Sequence, residues 1–294
     1  KINGEELKNI DLYILANSES TNMAEKLKGK DIRSITRADL QGVTFDDPFG
    51  ITAEGKAQTT VVPTGKGLPI SRAITNIAIA DHVADTEAGA KGKGISIPLV
   101  RAVSKLHFYF ARKANANTEN VKVTRIEIDG ETFPTASYIF PDEEEYTKAD
   151  ANKAATSNKY GTPSYVTTLL KLDGVGSTEI KEVEDPLTYV QGAGETAQTY
   201  MDRMNNEIGG HNLSYLRETN KPITGKIYYQ LAEGGSEKHQ EFKIPSSGNA
   251  IRNRELVVYG YFLQGGAFCL DWQVMPWNKV TSEISWSNVN CQMY

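Results

Sequence analysis

The sequence has few of the residues and segments on which chemistry or membrane insertion would depend. It contains two cysteines and four histidines in 294 residues, and its net charge of −5 leaves no basic excess. Nucleic-acid-binding proteins usually carry a clustered basic patch, so nucleic acid is not expected as a partner. No apolar stretch approaches the roughly 20 residues that a membrane-spanning helix needs. The length suits two β-sandwiches better than one.

A recognisable catalytic or cofactor motif is also missing. No histidine lies within metal-ligand spacing of another histidine or of a cysteine, so no metal site is predicted. There is no G-x-S-x-G elbow, and the glycine-rich run 89–94 lacks the G-K-[ST] ending of a phosphate-binding loop. We therefore predict no catalytic residue, no cofactor and no enzymatic activity. A secreted enzyme such as a glycosidase is a further alternative, because carboxylate separations cannot be read from a sequence.

The two cysteines leave one structural question open. Cys269 lies in a strand-like run, and Cys291 lies three residues from the end of the chain. A disulfide between them would require an oxidising compartment. Two unpaired thiols are the simpler interpretation of the sequence, and the disulfide is the alternative.

What the sequence has in quantity is the alternation of apolar and polar residues that is typical of β-strands. One long strand is predicted to hold Leu106 and Phe108 on its core face. Arg101, Lys105 and His107 then fall on the opposite face, which we predict to be the outer one.

Further strands are predicted at 223–231, 256–262 and 268–274. The middle one is apolar on both faces, as in a central strand. Glycine pairs between these runs predict antiparallel hairpins. Helical patterns are few and short, at 21–27 and 199–208, so the predicted fold class is mainly β.

A domain boundary is predicted near residues 138–165. The strand pattern stops at Pro141 and is followed by an acidic stretch rich in Ala, Asn and Lys, as in an exposed linker. We predict an N-terminal domain at 1–140 and a C-terminal domain at 141–294. Because the chain begins abruptly, we expect a fragment or processed form whose N-terminal domain is incomplete at its start.

Several short motifs match a known family in the family's own order. Residues 99–108 resemble an "R-A-V-A-K-I" strand, and residues 12–17 resemble "Y-V-L-A-N". Residues 215–218 are similar to "Y-L-x-E", residues 251–259 to "R-N-x-x-Y-x-V", and residues 272–286 to a tryptophan-bearing ending. These motifs resemble the fimbrillins of Bacteroidales bacteria, which are type V pilus subunits and fimbrillin-like cell adhesion proteins. Glu255 departs from the pattern, because the family often has a histidine before its tyrosine.

The resemblance implies two transthyretin-like antiparallel β-sandwich domains with a few short helices. It also implies export as a lipoprotein precursor, cleavage by a maturation protease, and an extracellular location in a fimbria attached to the outer membrane. The expected function is that of a structural subunit of an adhesive pilus, which binds other pilus subunits by donor-strand exchange. The alternative is a tip or anchor adhesin that binds a glycan or host protein and does not polymerise.

Two sets of residues are the candidate sites for assembly. The last part of the chain alternates between an apolar and a polar face, as a strand supplied to another subunit would. An ordinary final strand of the C-terminal sandwich would alternate in the same way, so donated and intramolecular placements both stay open. The predicted assembly strand contains Val280, Ile284, Trp286 and Val289, and the predicted groove or core of the N-terminal domain contains Leu12, Ile14, Leu106 and Phe108.

Overall fold

The structure is a computed structural model, and it describes most of the chain in twelve segments. These are residues 9–45, 67–78, 97–114, 121–134, 136–141, 170–172, 180–189, 192–208, 211–231, 234–245, 250–263 and 267–277. Within them the fold is mainly β with a few short helices, as the sequence predicted, and its sheets are consistent with β-sandwich domains.

The first sheet is small and antiparallel. Its strand order is β1 (Asn9–Ala16), β3 (Ile70–Ala78), β4 (Val100–Arg101). A second pair joins β2 (Thr44–Phe45) to β7 (Ser137–Tyr138). A buried cluster, here called the first core, lies beside these strands and consists of Val43, Phe45, Ala73, Ala102, Val103, Ile139 and Phe140.

Two larger sheets form the rest of the described fold. The five-stranded sheet has the order β10 (His211–Arg217), β5 (Val103–Lys113), β13 (Arg254–Phe262), β14 (Phe268–Pro276), with β9 (Lys181–Val183) also on β5. The four-stranded sheet has the order β12 (Lys238–Ile244), β11 (Ile223–Gln230), β6 (Lys122–Ile128), β8 (Leu170–Leu172). Side chains from both sheets meet in one large cluster, here called the second core, which includes Leu106, Phe108, Ile126, Ile227 and Val258.

Helix α3 (Ala197–Glu207) covers the other face of the five-stranded sheet. Tyr200, Met201 and Met204 of α3 pack with Tyr109 and Tyr259 of the sheet in a third core. Burial raises the pKa of Tyr200 to about 12, which keeps its hydroxyl neutral at physiological pH. The Tyr109 hydroxyl donates to Asn205 Oδ1 at 2.7 Å, so its polar end is satisfied where it meets the helix.

The predicted helices are present with slightly different bounds. The pattern at 21–27 corresponds to α1 (Met23–Lys26), and the pattern at 199–208 corresponds to α3. A further short helix, α2 (Arg37–Gln41), begins at Thr36 with a capping box formed with Asp39. In the described segments, each helix is too short or too polar to cross a bilayer.

The prediction that Lys105 and His107 lie on an outer strand face is wrong, whereas Arg101 lies on the short strand β4 and is half-buried. Lys105 and its partner Glu255 form a 2.6 Å ion pair whose side chains are 20% and 9% exposed, and His107 is also only 9% exposed. Strand β5 is central in its sheet, and the face that carries Tyr109 belongs to the third core. Alternation of polar and apolar residues therefore failed to identify a strand that is buried on both faces.

Two strand pairs of the five-stranded sheet are parallel, whereas the sequence predicted antiparallel pairing. Strand β5 runs parallel to β13 and to β9. Strands β5 and β6 precede residue 140 yet pair with β10, β13 and β11, which follow it. Strand pairing does not measure which parts of a chain fold independently, so the division into 1–140 and 141–294 stays a prediction.

Burial of His107 predicts a specific loss of stability in acid. Desolvation, together with the nearby Lys105 charge, lowers the pKa of His107 from 6.5 to about 4. The unfolded chain therefore binds a proton below pH 6.5 at a site where the folded chain does not. We expect this histidine to remove about 3 kcal/mol of stability as the pH falls from 7 to 4, at 1.36 kcal/mol per pKa unit.

The comparison that checks this prediction uses urea unfolding of the wild type and of His107→Gln at several pH values between 7 and 4. The glutamine does not titrate, so the free energy of unfolding of that variant should fall less steeply in acid. His239→Gln is the matched control, because His239 is exposed on β12. Equal acid sensitivity in the wild type and in His107→Gln would contradict the prediction.

Candidate functional site

The outer face of the first sheet carries large apolar side chains that the first core does not cover. Along β1, Tyr13 and Leu15 pack against the first core. Because side chains alternate along a strand, Leu12 and Ile14 point to the opposite face, where both are half-buried. Ile10 lies on the same face and is 39% exposed, which is unusual for an isoleucine in a strand.

A bulge in β3 adds two isoleucines to this face. Ile10 pairs with Ile77 and Leu12 pairs with Ile74, so β3 contains one more residue than β1 over this interval. Ile74 and Ile77 are three residues apart and would lie on opposite faces of a regular strand; the extra residue brings them to the same face. We call Ile10, Leu12, Ile14, Ile74 and Ile77 the outer face of the β1–β3 sheet.

Asp11 holds the bulge in place. The bulged residue Asn76 has a φ of 62°, a left-handed conformation that asparagine tolerates better than most residues. Its backbone N–H donates to Asp11 Oδ1 at 2.8 Å, and Arg37 Nε donates to Asp11 Oδ2 at 3.0 Å. The backbone hydrogen bond from Asn76, followed by the bond from Arg37, lowers the pKa of Asp11. Through these two hydrogen bonds, the Asp11 side chain links the bulge in β3 to Arg37 of α2.

Strand β1 is also an edge strand. It pairs with β3 on one side, and no other strand in the described segments pairs with it. An edge strand presents N–H and C=O groups to which an additional strand can bond. The edge of β1 and the outer face beside it together offer backbone hydrogen bonds and apolar contacts to an extended segment, which is how strand addition works in general.

The four residues predicted for the groove or core of the N-terminal domain fall into two separate places. Leu12 and Ile14 lie side by side on the outer face of the β1–β3 sheet, whereas Leu106 and Phe108 are 1% and 0% exposed in the second core. Sequence reasoning missed Ile10, although it continues the alternation of Leu12 and Ile14, and it missed Ile74 and Ile77, because the bulge in β3 hides their common face. The signal that could have found it is Asn76, a residue enriched at positive φ, in the middle of an apolar run. The predicted assembly strand, Val280, Ile284, Trp286 and Val289, lies outside the described residues.

A cavity of mixed polarity lies between the edges of the two larger sheets. It has a volume of about 240 Å³, opens between β12 and β14, and is lined by apolar side chains such as Phe242 and Trp272 and by charged ones such as Glu241 and Lys243. Trp272 packs against the second core. Cys269 packs against the third core, and Cys291 lies outside the described residues, so their pairing stays open.

The polar side chains of the described residues give little indication of a catalytic or metal-binding site. Within the segments that the structure describes, no group of three or more His, Cys, Asp or Glu side chains is placed to hold a metal ion. The most buried charged pair is Arg252 and Glu218, whose side chains are 3% and 2% exposed and bonded to each other. Such a pair has a structural role rather than a reactive one, because neither group is accessible.

The sequence matches no protein-family model and no curated protein. Solved structures with a similar fold include a "putative cell adhesion protein" from Bacteroides eggerthii, which is 12% identical with a TM-score of 0.48; the match covers 91% of this chain and 78% of that one. A "putative cell adhesion protein" from Parabacteroides distasonis is 16% identical with a TM-score of 0.48, covering 94% and 78%. A second protein of that description from Parabacteroides distasonis is 14% identical with a TM-score of 0.40, covering 92% and 84%. At these values the similarity carries no conclusion about function.

Proposed function

We propose that this chain is a structural subunit of an adhesive cell-surface pilus, and that subunits join by strand exchange as in the fimbrillins it resembles. The acceptor is the edge of β1 with the outer face of the β1–β3 sheet, and the donor is the segment 280–289 of a neighbouring subunit. Among the described strands β1 has only β3 beside it, and the other edge of β1, next to five apolar side chains, is the observation that carries this proposal. The subunit would be exported as a lipoprotein precursor, cleaved by a protease and attached to the outer membrane.

The energetics of strand addition favour such a joint. Burying a large apolar side chain stabilises by about 1.5–3 kcal/mol, and each backbone hydrogen bond adds about 0.5–1.5 kcal/mol. The donor alternates Val280, Ile284 and Trp286 with polar residues, so one of its faces matches the apolar outer face. A strand that supplied both the apolar contacts and the backbone hydrogen bonds would bind durably, even after the entropic cost of ordering that strand.

Two complementary variants test the proposal. Deleting residues 282–294 removes the donor and leaves the acceptor, whereas Leu12→Lys places a charge on the acceptor and leaves the donor. Leu12 is half-buried in the isolated chain, so the lysine can reach water until a strand covers it. Each variant alone should stay monomeric, and a 1:1 mixture should form heterodimers that grow no further. Light scattering after gel filtration measures these masses, for the full chain and for a chain that begins at Asn9.

Ala24→Lys is the control for the added charge, since Ala24 is exposed in α1 and lies away from the sheet. It should assemble as the wild type does. Assembly of Leu12→Lys at the wild-type concentration would show that the acceptor is elsewhere. If deleting residues 282–294 lowers the free energy of unfolding by several kcal/mol, this strand belongs to the core of its own subunit and is not the donor. A wild type that stays monomeric in both chain forms would overturn the pilus function in favour of a non-polymerising adhesin.

A further inference from the structure

Trp277, the last described residue, is fixed by side chains from three strands. The Arg101 guanidinium carbon lies 4.3 Å from the centre of the indole ring, and Lys105 Nζ lies 5.6 Å from it. The Tyr215 ring stacks with the indole at 5.9 Å between centroids and an interplanar angle of 25°. These partners belong to β4, β5 and β10, and both aromatic rings pack against the first core.

The backbone beside the indole is fixed as well. Trp277 N–H donates to the carbonyl of Asn253 at 3.4 Å, and Asn253 N–H donates to the carbonyl of Val103 at 2.9 Å. Arg101 Nη1 donates to Asn253 Oδ1 at 3.0 Å, so the residue over the indole also holds the loop beneath it. Asn253 has a φ of 58°, which places it in a tight turn. The contacts join the first sheet to the five-stranded sheet where the described chain ends.

These contacts of Trp277 come in addition to the pairing that holds the end of β14. Strand ends are usually free to fray unless something ties them down, and β14 already ends at Pro276, paired with Arg254. A cation above an indole and a stacked tyrosine fix the ring in both position and direction. The residues that follow Trp277 therefore leave from a fixed point at the junction of the two sheets.

We propose that Trp277 is a positioning residue for assembly: its seat between Arg101 and Tyr215 fixes the point from which the donor segment 280–289 leaves the subunit. This inference rests on the proposed function. A donor whose base is already fixed loses less conformational freedom when it binds the neighbour's acceptor than a donor on a loose tether does, and such preorganisation raises affinity. Trp277 makes none of the strand–strand contacts itself and acts only through the segment it anchors.

The test compares two tryptophans of the same terminal region. Trp277→Ala should require a subunit concentration for assembly that is roughly tenfold higher or more, because a donor that is no longer preorganised loses more conformational freedom on binding. Trp272→Ala removes an indole that packs on the second core, whereas Trp277 packs on the first. Trp272→Ala should lower the melting temperature at least as much as Trp277→Ala does. It should leave the subunit concentration required for assembly at the wild-type value. Trp277→Phe, which keeps a ring for Tyr215 and Arg101, should restore most of the assembly.

A synthetic peptide of residues 278–294 separates this inference from the proposed function. Binding of the peptide to Trp277→Ala with the wild-type Kd, together with impaired self-assembly, supports the positioning role. If the peptide binds the wild type and Trp277→Ala assembles normally, the positioning role alone is overturned. If the peptide fails to bind the wild type, the strand-exchange function falls, and the positioning role falls with it. Should Trp277→Ala not fold, Arg101→Met weakens the same seat, and unchanged assembly of that variant would overturn the inference.

Discussion

Replacing Glu218 by Gln is expected to lower the free energy of unfolding by about 3–5 kcal/mol, as the loss of one partner of a buried ion pair does. Glu218 Oε2 accepts from Arg252 Nε at 2.7 Å, and Glu218 Oε1 accepts from the Arg252 backbone N–H at 3.2 Å. The guanidinium also donates to the Tyr138 carbonyl through both terminal nitrogens. Without the carboxylate, a charge that is 3% exposed would remain buried and uncompensated.

Urea unfolding at pH 7 measures the loss, and the chain offers a matched control. Lys226 and Glu241 form an ion pair whose side chains are 41% and 72% exposed. Glu241→Gln should therefore change stability by less than about 1 kcal/mol. The double variant Glu218→Met with Arg252→Met should lose less than the two single changes combined, because no charge is left unpaired. Strictly additive losses would show that the pair does not act as a unit.

Replacing Phe108 by Ala should lower the free energy of unfolding by about 3–5 kcal/mol, through lost burial and the cavity that remains. Phe108 is completely buried in the second core, where it stacks with Phe110 and meets Phe242 edge-on at 6.3 Å between ring centroids. Leu106→Ala in the same core should cost about 2–5 kcal/mol. The same urea measurement applies, and retained near-ultraviolet circular dichroism shows whether the variant keeps its packing.

Lys243→Ala provides the comparison for the core variants, because Lys243 is exposed on β12 between the buried Phe242 and Ile244. An exposed substitution of this kind should change stability by less than about 0.5 kcal/mol. Lys105 cannot serve this purpose, since its ion pair with Glu255 is largely buried. A loss at Lys243 as large as that at Phe108 would mean that the register of these strands is wrong.

The sequence predicted individual elements well where the pattern was local. The alternation at 223–231 and 268–274 corresponds to β11 and β14, and the fully apolar run 256–262 corresponds to the central strand β13. These patterns work because a strand repeats every two residues, so one buried face dictates the identity of every second side chain. The short helices followed in the same way from apolar spacing and nearby glycines.

The sequence did not predict the features that depend on contacts between residues far apart in the chain. Nothing local to β5 shows that β13, about 150 residues later in the chain, runs parallel beside it, or that α3 covers its second face. His107 was therefore predicted on an outer face and is buried. The outer face of the β1–β3 sheet was only half visible, because Leu12 and Ile14 follow a regular alternation, whereas Ile74 and Ile77 share a face through a bulge.

The sequence by itself determined the fold class and the strands with a regular pattern, such as β11, β13 and β14, because those properties follow from the spacing of residues along the chain. The tertiary structure alone decided which of the described strands are neighbours, which strands are buried on both faces, and that β1 has β3 as its one neighbour among the described strands, beside an apolar surface. It also decided that Trp277 is seated against Arg101 and Tyr215, which are far from it in the chain. The physical reason is that contacts between distant residues depend on how whole sheets pack, and local periodicity contains no record of that packing.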